Sequence, residues 1–409
     1  MSLIRRGLLS DFFAGVAVKR LSAVETSPVA SNQHELNGAK ALRRLLGDAD
    51  RKRIPAHFVW LGEEQAGITD DSTLSWYDSR RRHATRSEYR LYYPNNEVSA
   101  LMKPGDTFFL AMRPDGSAMA IVTPAVSTIQ NQLLWLFGIE AQPDMEFTVR
   151  EITANETAGL DFAARFILDE LGIELEEPES EKLDALVGKF GLKFPSTREF
   201  SELARTSIAG WREIGDPDET LLLWMEREEQ LFRRLERRIV DARLHSGFIS
   251  DDGADEDGFL NFSLSVQNRR KSRAGQALEN HLEALLLAHR LGFARGAETE
   301  NRNRPDFLFP GPIEYRDARF PAARLTMLGA KSTLKDRWRQ VLSEAARIDE
   351  KHLLTLEPSI SENQTDEMKA KNLRLVIPKR LHSTFRHSQR PWLMSIHEFI
   401  SLVKARASA

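Results

Sequence analysis

Toward the C-terminus, a few side chains have types and spacings that could act on a phosphodiester. Pro305-Asp306-Phe307-Leu308-Phe309-Pro310 is a short apolar run with one carboxylate at its start, and LTMLGAK (325–331) is a second apolar run that ends on the amine of Lys331. Lys335-Asp336-Arg337 and then Glu344 follow it, and Glu279 lies upstream. Asp306, Glu344 and Glu279 offer the hard oxygen donors preferred by Mg²⁺, a cation that keeps several of its waters. Such a metal and Lys331 could stabilise charge on a scissile phosphate and help deprotonate an attacking water. Arg337 has the planar fork that matches guanine O6 and N7 in a major groove.

These groups need elements to carry them. PDFLFP and LTMLGAK read as strands, and AGQALENHLEALLLAHRLGF reads as a helix with Leu278, Leu282, Leu285 and Leu286 as its buried stripe. Glu279 and Glu283 lie one turn apart on that helix, and the basic run Arg269-Arg270-Lys271-Ser272-Arg273 leads into it. Beside the other groups, that run, Arg273 included, reads as a DNA contact. KDRWRQVLSEAARI reads as a helix that buries Trp338, Val341, Leu342, Ala345 and Ile348 and turns Arg337, Gln340 and Glu344 to its other face. The set resembles a nuclease site of the PD-(D/E)xK kind with one change. Gly329 stands two positions before Lys331, so the second carboxylate must be Glu344.

Upstream, from about Phe12 to Val149, short strands and turns dominate: HFVWLG, EYRLYYP, TFFLAMRPDGSAMAIVTP and EFTVREI. Arg113-Pro114-Asp115-Gly116 predicts a hairpin turn, and the close strand spacing predicts a barrel or sandwich. ELEEPESEK (174–182) has the composition of a linker. After Pro195 helices take over, including a long one with Leu222, Trp224, Met225, Leu231 and Leu235 as its core stripe. DDGADEDG (251–258) misses the EF-hand spacing and reads as a solvated loop, and His281, His352 and His382 lack metal-ligand spacing.

Composition narrows the classes. A chain of 409 residues without cysteine excludes a disulfide framework, thiolate zinc sites, iron–sulfur clusters and a cysteine nucleophile. No apolar run approaches the ~18 residues of a membrane span. Asp11 and Lys19-Arg20 spoil an N-terminal stretch that otherwise mimics a signal peptide, so a cytoplasmic protein is expected. The net charge of −3 hides an asymmetry: 18 basic and 19 acidic residues over 1–160, 13 and 25 over 161–260, 26 and 16 over 261–409. The basic last segment points to a polyanionic partner.

The stretches SVQNRRKSRAGQALENHLE, PDFLFP, LTMLGAKSTLKDRWRQVLSEAARI, KHLLTLEPSISENQ and LRLVIPKRLH resemble the EcoRII family of type IIE restriction endonucleases. The resemblance implies a mainly β pseudobarrel effector domain over 1–172, an acidic hinge over 173–190 and an α/β endonuclease-like catalytic domain over 191–409. It implies Asp306, Tyr315, Lys331, Lys335 and Glu344 as catalytic residues, with Asp306, Glu344 and Glu279 on Mg²⁺. Lys335-Asp336-Arg337 would read the outer C·G pairs of CC(A/T)GG, and Arg227 is a candidate for the pocket that takes a flipped base. In the N-terminal half Arg86, Glu88 and Arg90 fall on the family's DNA-contacting positions, while Ala84 and Tyr89 stand where the family has lysines. The implied partners are duplex DNA, as substrate and as effector, a second copy of the chain through the C-terminal domain, and a cognate cytosine methyltransferase in a bacterial cytoplasm. The N-terminal half would also block the catalytic cleft until effector binds. The other class weighed is a DNA-binding protein on a decayed nuclease fold. The retained carboxylates and Lys331 argue against decay.

Overall fold

The computed structural model describes residues 8–26, 34–37, 40–62, 67–80, 82, 86–153, 160–175, 180–208, 215–250, 253–334 and 337–408. Contacts divide the chain into two units, Met1–Glu176 with Ser359–Asn363, and Glu177–Pro358 with Gln364–Ala409.

The first unit is built on eight strands: β1 (Gly15–Arg20), β2 (Glu35–Asn37), β3 (Arg51–Trp60), β4 (Ile68–Asp78), β5 (Tyr89–Tyr92), β6 (Thr107–Met112), β7 (Ala118–Thr123) and β8 (Thr148–Glu151). They form one sheet in the order β2-β5-β4-β3-β7-β6-β1-β8. Every pairing is antiparallel except β3 with β7. TFFLAM and AMAIVT are apolar throughout because both faces are covered. Phe108, Leu110, Ala120 and Val122 enter one core with Phe58 and Trp76. Phe109, Ala111, Met119 and Ile121 enter the other, under helices α3 (Thr128–Leu136) and α4 (Phe162–Glu170). Two short helices, α1 (Ala23–Thr26) and α2 (Arg43–Leu46), close the first core's rim. The Arg113–Gly116 turn forms as expected: Arg113 N donates to Ser117 O at 2.8 Å, and Gly116 adopts φ +83°. β4 escaped the sequence reading because ITDDSTLSWYD is half-exposed and begins with polar residues.

In the second unit, the C-terminal part of the stretch expected as a hinge over 173–190 forms α5 (Ser180–Val187), while residues 176–179 lie outside the described residues. Leu183 and Val187 are fully buried against Phe200, Leu231, Phe232 and Leu235, so α5 is a packed helix. The helices α6 (Thr197–Thr206), α7 (Pro217–Ser246) and α8 (Glu256–Ala288) follow, with a two-residue hairpin of β9 (Ile249–Ser250) and β10 (Gly253–Ala254) between the last two. α8 starts well before the expected helix. Asp255, from the acidic run, caps it by accepting from Gly258 N at 2.9 Å, and Arg269–Arg273 lies inside the helix rather than in front of it.

A five-stranded sheet, β11 (Ala294–Arg295), β12 (Phe307–Phe309), β13 (Thr326–Lys331), β14 (Lys351–Thr355) and β15 (Leu373–Val376), runs in that order, antiparallel up to β13 and parallel beyond it. Helices α9 (Pro312–Arg316), α10 (Trp338–Val341), α11 (Glu362–Ala370) and α12 (Ile396–Ser408) complete the unit. Asp218, in the first turn of α7, accepts from the amides of Lys379 at 2.9 Å, Ile396 at 2.9 Å and His397 at 3.0 Å, tying α7 to the start of α12. Among the described residues no helix is long and apolar enough to cross a membrane.

Candidate active site

Strand pairing explains why the sequence keeps Asp306 and Lys331 so far apart. β12 runs antiparallel to β13 with Phe307 opposite Leu328, so the residue before β12 meets the end of β13. Asp306 Oδ2 there accepts from Ala330 N at 2.7 Å and from Lys331 Nζ at 2.9 Å. A Cβ at Gly329 would sit 3.1 Å from Val341 Cγ2 and 3.3 Å from Leu353 Cδ1. A carboxylate at that position has no room, because α10 packs over it.

The second carboxylate comes from the segment behind α10, though not from a helix face. Among the described residues of the helix expected over 335–348, only Trp338–Val341 is α-helical, and Glu344 lies in the turns that follow, ahead of Ala345 at φ +49°. Trp338, Val341, Ala345 and Ile348 are still buried, so the apolar spacing serves packing without a continuous helix. Glu344 Oε2 is buried and has no hydrogen-bond partner among the described residues. Burial first, and then the like charge of Asp306, push the Glu344 carboxyl up to about 7, against Lys331 and Lys351, which pull it down.

Two electrostatically coupled carboxylates, one with an orphaned buried oxygen, suit a divalent cation that would relieve their repulsion. Mg²⁺ needs only one or two protein carboxylates when water and phosphate fill the rest. No group of three or more Asp, Glu or His side chains forms a metal site among the described residues. Glu279, the expected third ligand, is instead held by Arg295 at 2.8 Å, which also reaches Glu283 at 2.8 Å. Arg295 sits in β11 opposite Phe307, so Glu279 is linked to the site through an arginine. Two glutamates one turn apart are a legible request for a cation, but the sequence did not say which.

Tyr315, expected among the catalytic residues, is placed on α9. It is buried there, and its hydroxyl donates to Glu300 Oε2 at 2.6 Å. Burial and that carboxylate raise the phenol to about 12. The hydroxyl is therefore held as a donor to Glu300.

Among the expected DNA contacts, Lys335 and Asp336 lie outside the described residues. Arg337 is exposed, with Thr333 Oγ1 at 3.5 Å. Arg273 is corrected: it is 7% exposed, pairs with Glu228 at 3.3 Å and with Glu229, and lies 4.0 Å from the Phe232 ring centroid. Arg270 pairs with Glu236 of α7 in the same manner. The acidic α7 therefore neutralises much of the basic run within the fold. Arg227 donates to Ser207 Oγ at 2.9 Å and to Gln230 at 3.3 Å.

In the first unit Arg86 is exposed. Glu88 pairs with Arg80 and, at 2.9 Å, with Arg90, which also binds Glu35 of β2. Arg90 thus braces the β2–β5 edge.

Comparison with known proteins shows the family. Residues 232–400 match the family model described as EcoRII C terminal. Over 394 residues, 94% of this chain and 93% of the relative, the sequence is 39% identical to the type II restriction enzyme EcoRII of Escherichia coli. The chain belongs to the EcoRII family of type II restriction endonucleases. The type II restriction enzyme SsoII of Shigella sonnei is 35% identical over 111 residues, 24% of this chain and 35% of that relative. Among solved structures, metal-depleted Ecl18kI with uncleaved DNA aligns at a TM-score of 0.42 and 18% identity, covering 56% of this chain and 85% of that one. A PspGI–substrate DNA complex aligns at 0.43 and 14%, covering 53% and 94%. The alignment with EcoRII spans both units, so the family assignment holds for the N-terminal sheet as well as for the Asp306–Lys331 site.

Proposed function

We propose that this EcoRII-family chain is a Mg²⁺-dependent endonuclease that cuts duplex DNA at CC(A/T)GG-like sites, as a homodimer under control of its N-terminal half. The observation that carries the reading is the junction of β12 and β13. Lys331 is held by Asp306 there, and the orphaned Glu344 oxygen faces the same carboxylate electrostatically.

Asp306 and Glu344 would hold Mg²⁺, which when bound supplies a Lewis acid for the phosphate and an acidified water. The chain's own groups do the rest. Ala330 N orients the Asp306 carboxylate, leaving Oδ1 for a cation. Lys331, only partly buried, carries a positive charge to the phosphate oxygens that gain charge as the bond breaks. Arg337, exposed before α10, would reach guanine O6 and N7, with Lys335 and Asp336 beside it. Two copies would read the two C·G halves of the site, as a two-fold assembly on a near-palindrome requires.

The N-terminal sheet would act as a pseudobarrel that binds an effector copy of the site through Arg86, with Glu88 and Arg90 shaping the β5 edge, and would restrain the catalytic unit until it does. The catalytic unit, with a PD-(D/E)xK-type site, would begin at α5. A cognate cytosine methyltransferase and a bacterial cytoplasm complete the setting. Asp306→Ala tests the reading against a DNA-binding protein on a decayed fold: cleavage is lost and DNA binding retained if the site works, whereas an unchanged variant contradicts it.

A further inference from the structure

What keeps Glu344 beside Asp306 is not a helix. Residues 342–348 form irregular turns in which Glu344 N donates to Val341 O at 3.2 Å, and Ala345 takes a left-handed φ of +49°, so no helical register continues past Glu344. The remaining hydrogen bonds to this turn come from the loop just before Asp306 and from α9. Glu300 Oε2 accepts from Ala346 N at 3.2 Å and from Tyr315 Oη at 2.6 Å. Tyr315 Oη in turn accepts from Arg347 N at 3.3 Å. On the other side of Glu344, Asn303 Nδ2 donates to Ser343 O at 2.8 Å. The Arg347 guanidinium locks the assembly onto α9 and the loop behind it, donating to the carbonyls of Tyr315, Asp317 at 3.1 Å and Phe320 at 2.8 Å.

Glu300 and Asn303 thus bracket Glu344 from both sides, and they sit only a few residues before Asp306. One short loop carries the first carboxylate and grips the turn that carries the second. Asp306 is held separately, from β13, by Ala330 N at 2.7 Å.

We propose that Glu300 is a positioning residue: acting through Ala346 and Tyr315, it holds the turn of Glu344 and so sets the separation of the two carboxylates that would share a divalent cation. The proposal rests on the metal-dependent reading above. It also gives Tyr315 its place, as the hydroxyl that relays Glu300 to the Arg347 amide.

The test uses full-length Glu300→Ala, with Glu300→Gln as a second variant that keeps the volume and one acceptor oxygen. Three quantities are compared with the parent chain: the affinity for Ca²⁺ or Mn²⁺ by calorimetry, the Mg²⁺ concentration for half-maximal cleavage against the rate at saturating Mg²⁺, and amide exchange without metal. Removing a partner that orients a metal ligand typically weakens metal binding 10–100-fold. Glu300→Ala is expected to weaken cation binding at least about tenfold, to raise the half-maximal Mg²⁺ more than it lowers the saturated rate, and to speed exchange selectively at Ala346 and Arg347. Glu300→Gln should recover part of each change. Unchanged cation affinity, or a loss explained wholly by a lower unfolding temperature, overturns the proposal. Asp306→Ala serves as the control. If it too leaves cation binding intact, the metal reading has failed, and the exchange at Ala346 and Arg347 alone decides whether Glu300 holds the turn.

Discussion

Asp306 and Lys331 are 25 residues apart in the chain and 2.9 Å apart in space, joined because β12 and β13 pair antiparallel with one residue to spare. The pair neutralises itself in the fold, and under the proposed function a cation and a phosphate would compete for its two charges. Lys331→Ala should therefore leave folding and DNA binding nearly intact while lowering the cleavage rate by on the order of 10²–10³, the usual loss of one charge-stabilising donor. Single-turnover cleavage at saturating Mg²⁺ measures this. A loss below tenfold would place the phosphate elsewhere.

The Glu344 carboxyl, raised to about 7, ties metal binding and stability to pH. Its folded value lies above its unfolded one, so the metal-free fold gains stability below the unfolded value and loses it as pH rises through about 7. Cation binding needs the ionised form and runs the other way, strengthening up to and somewhat above that pH. Glu344→Gln should raise the unfolding temperature at pH 8 without metal, flatten its dependence between pH 5 and 7, and abolish cleavage. Melting curves with EDTA across that range show whether the slope belongs to this residue.

Arg273 and Arg337 separate structure from recognition. Arg273→Ala strips the guanidinium from fully buried Glu228, leaving it, among the described residues, only His281 at 2.9 Å, and should cost about 3–5 kcal/mol of stability. Arg337→Ala should leave urea unfolding unchanged and cost about 1–3 kcal/mol of discrimination against a substituted C·G pair. Denaturation and competition binding on the two variants give opposite patterns. Similar patterns in both would undo the assignment.

Asp218 makes a purely mechanical prediction. Its carboxylate gathers three amides where α7 meets Lys379 and the start of α12. Hydrogen bonds to a charged group contribute roughly 1.5–3 kcal/mol each, and the three share one acceptor. Asp218→Ala should thus destabilise the second unit by on the order of 3 kcal/mol, visible by hydrogen exchange in α12, without changing which sequence is cut.

Much of this was legible in the sequence, for physical reasons. The runs PDFLFP and LTMLGAK are apolar because they are inner strands, and their ends carry the two proposed site groups, Asp306 and Lys331. The Arg113–Gly116 turn formed because its residue types leave few alternatives. The misreadings share one cause, tertiary partners overriding local pattern. Leu183 and Val187 make a helix of an acidic stretch because a core awaits them. Arg273 looked like a DNA contact because its partners, Glu228 and Glu229, lie some 45 residues away on another helix. Glu344 leaves the helical register where Glu300 and Tyr315 bond the amides of its neighbours Ala346 and Arg347. No periodicity advertises either residue.

The central claim is metal-dependent, sequence-specific cleavage. The most direct test is digestion of an unmethylated plasmid carrying several CC(A/T)GG sites, with Mg²⁺ or with EDTA, followed by sequencing of the fragment ends. Discrete fragments that need Mg²⁺ and end at CC(A/T)GG are the result expected here. No cutting, even with added short effector duplexes, would contradict the account.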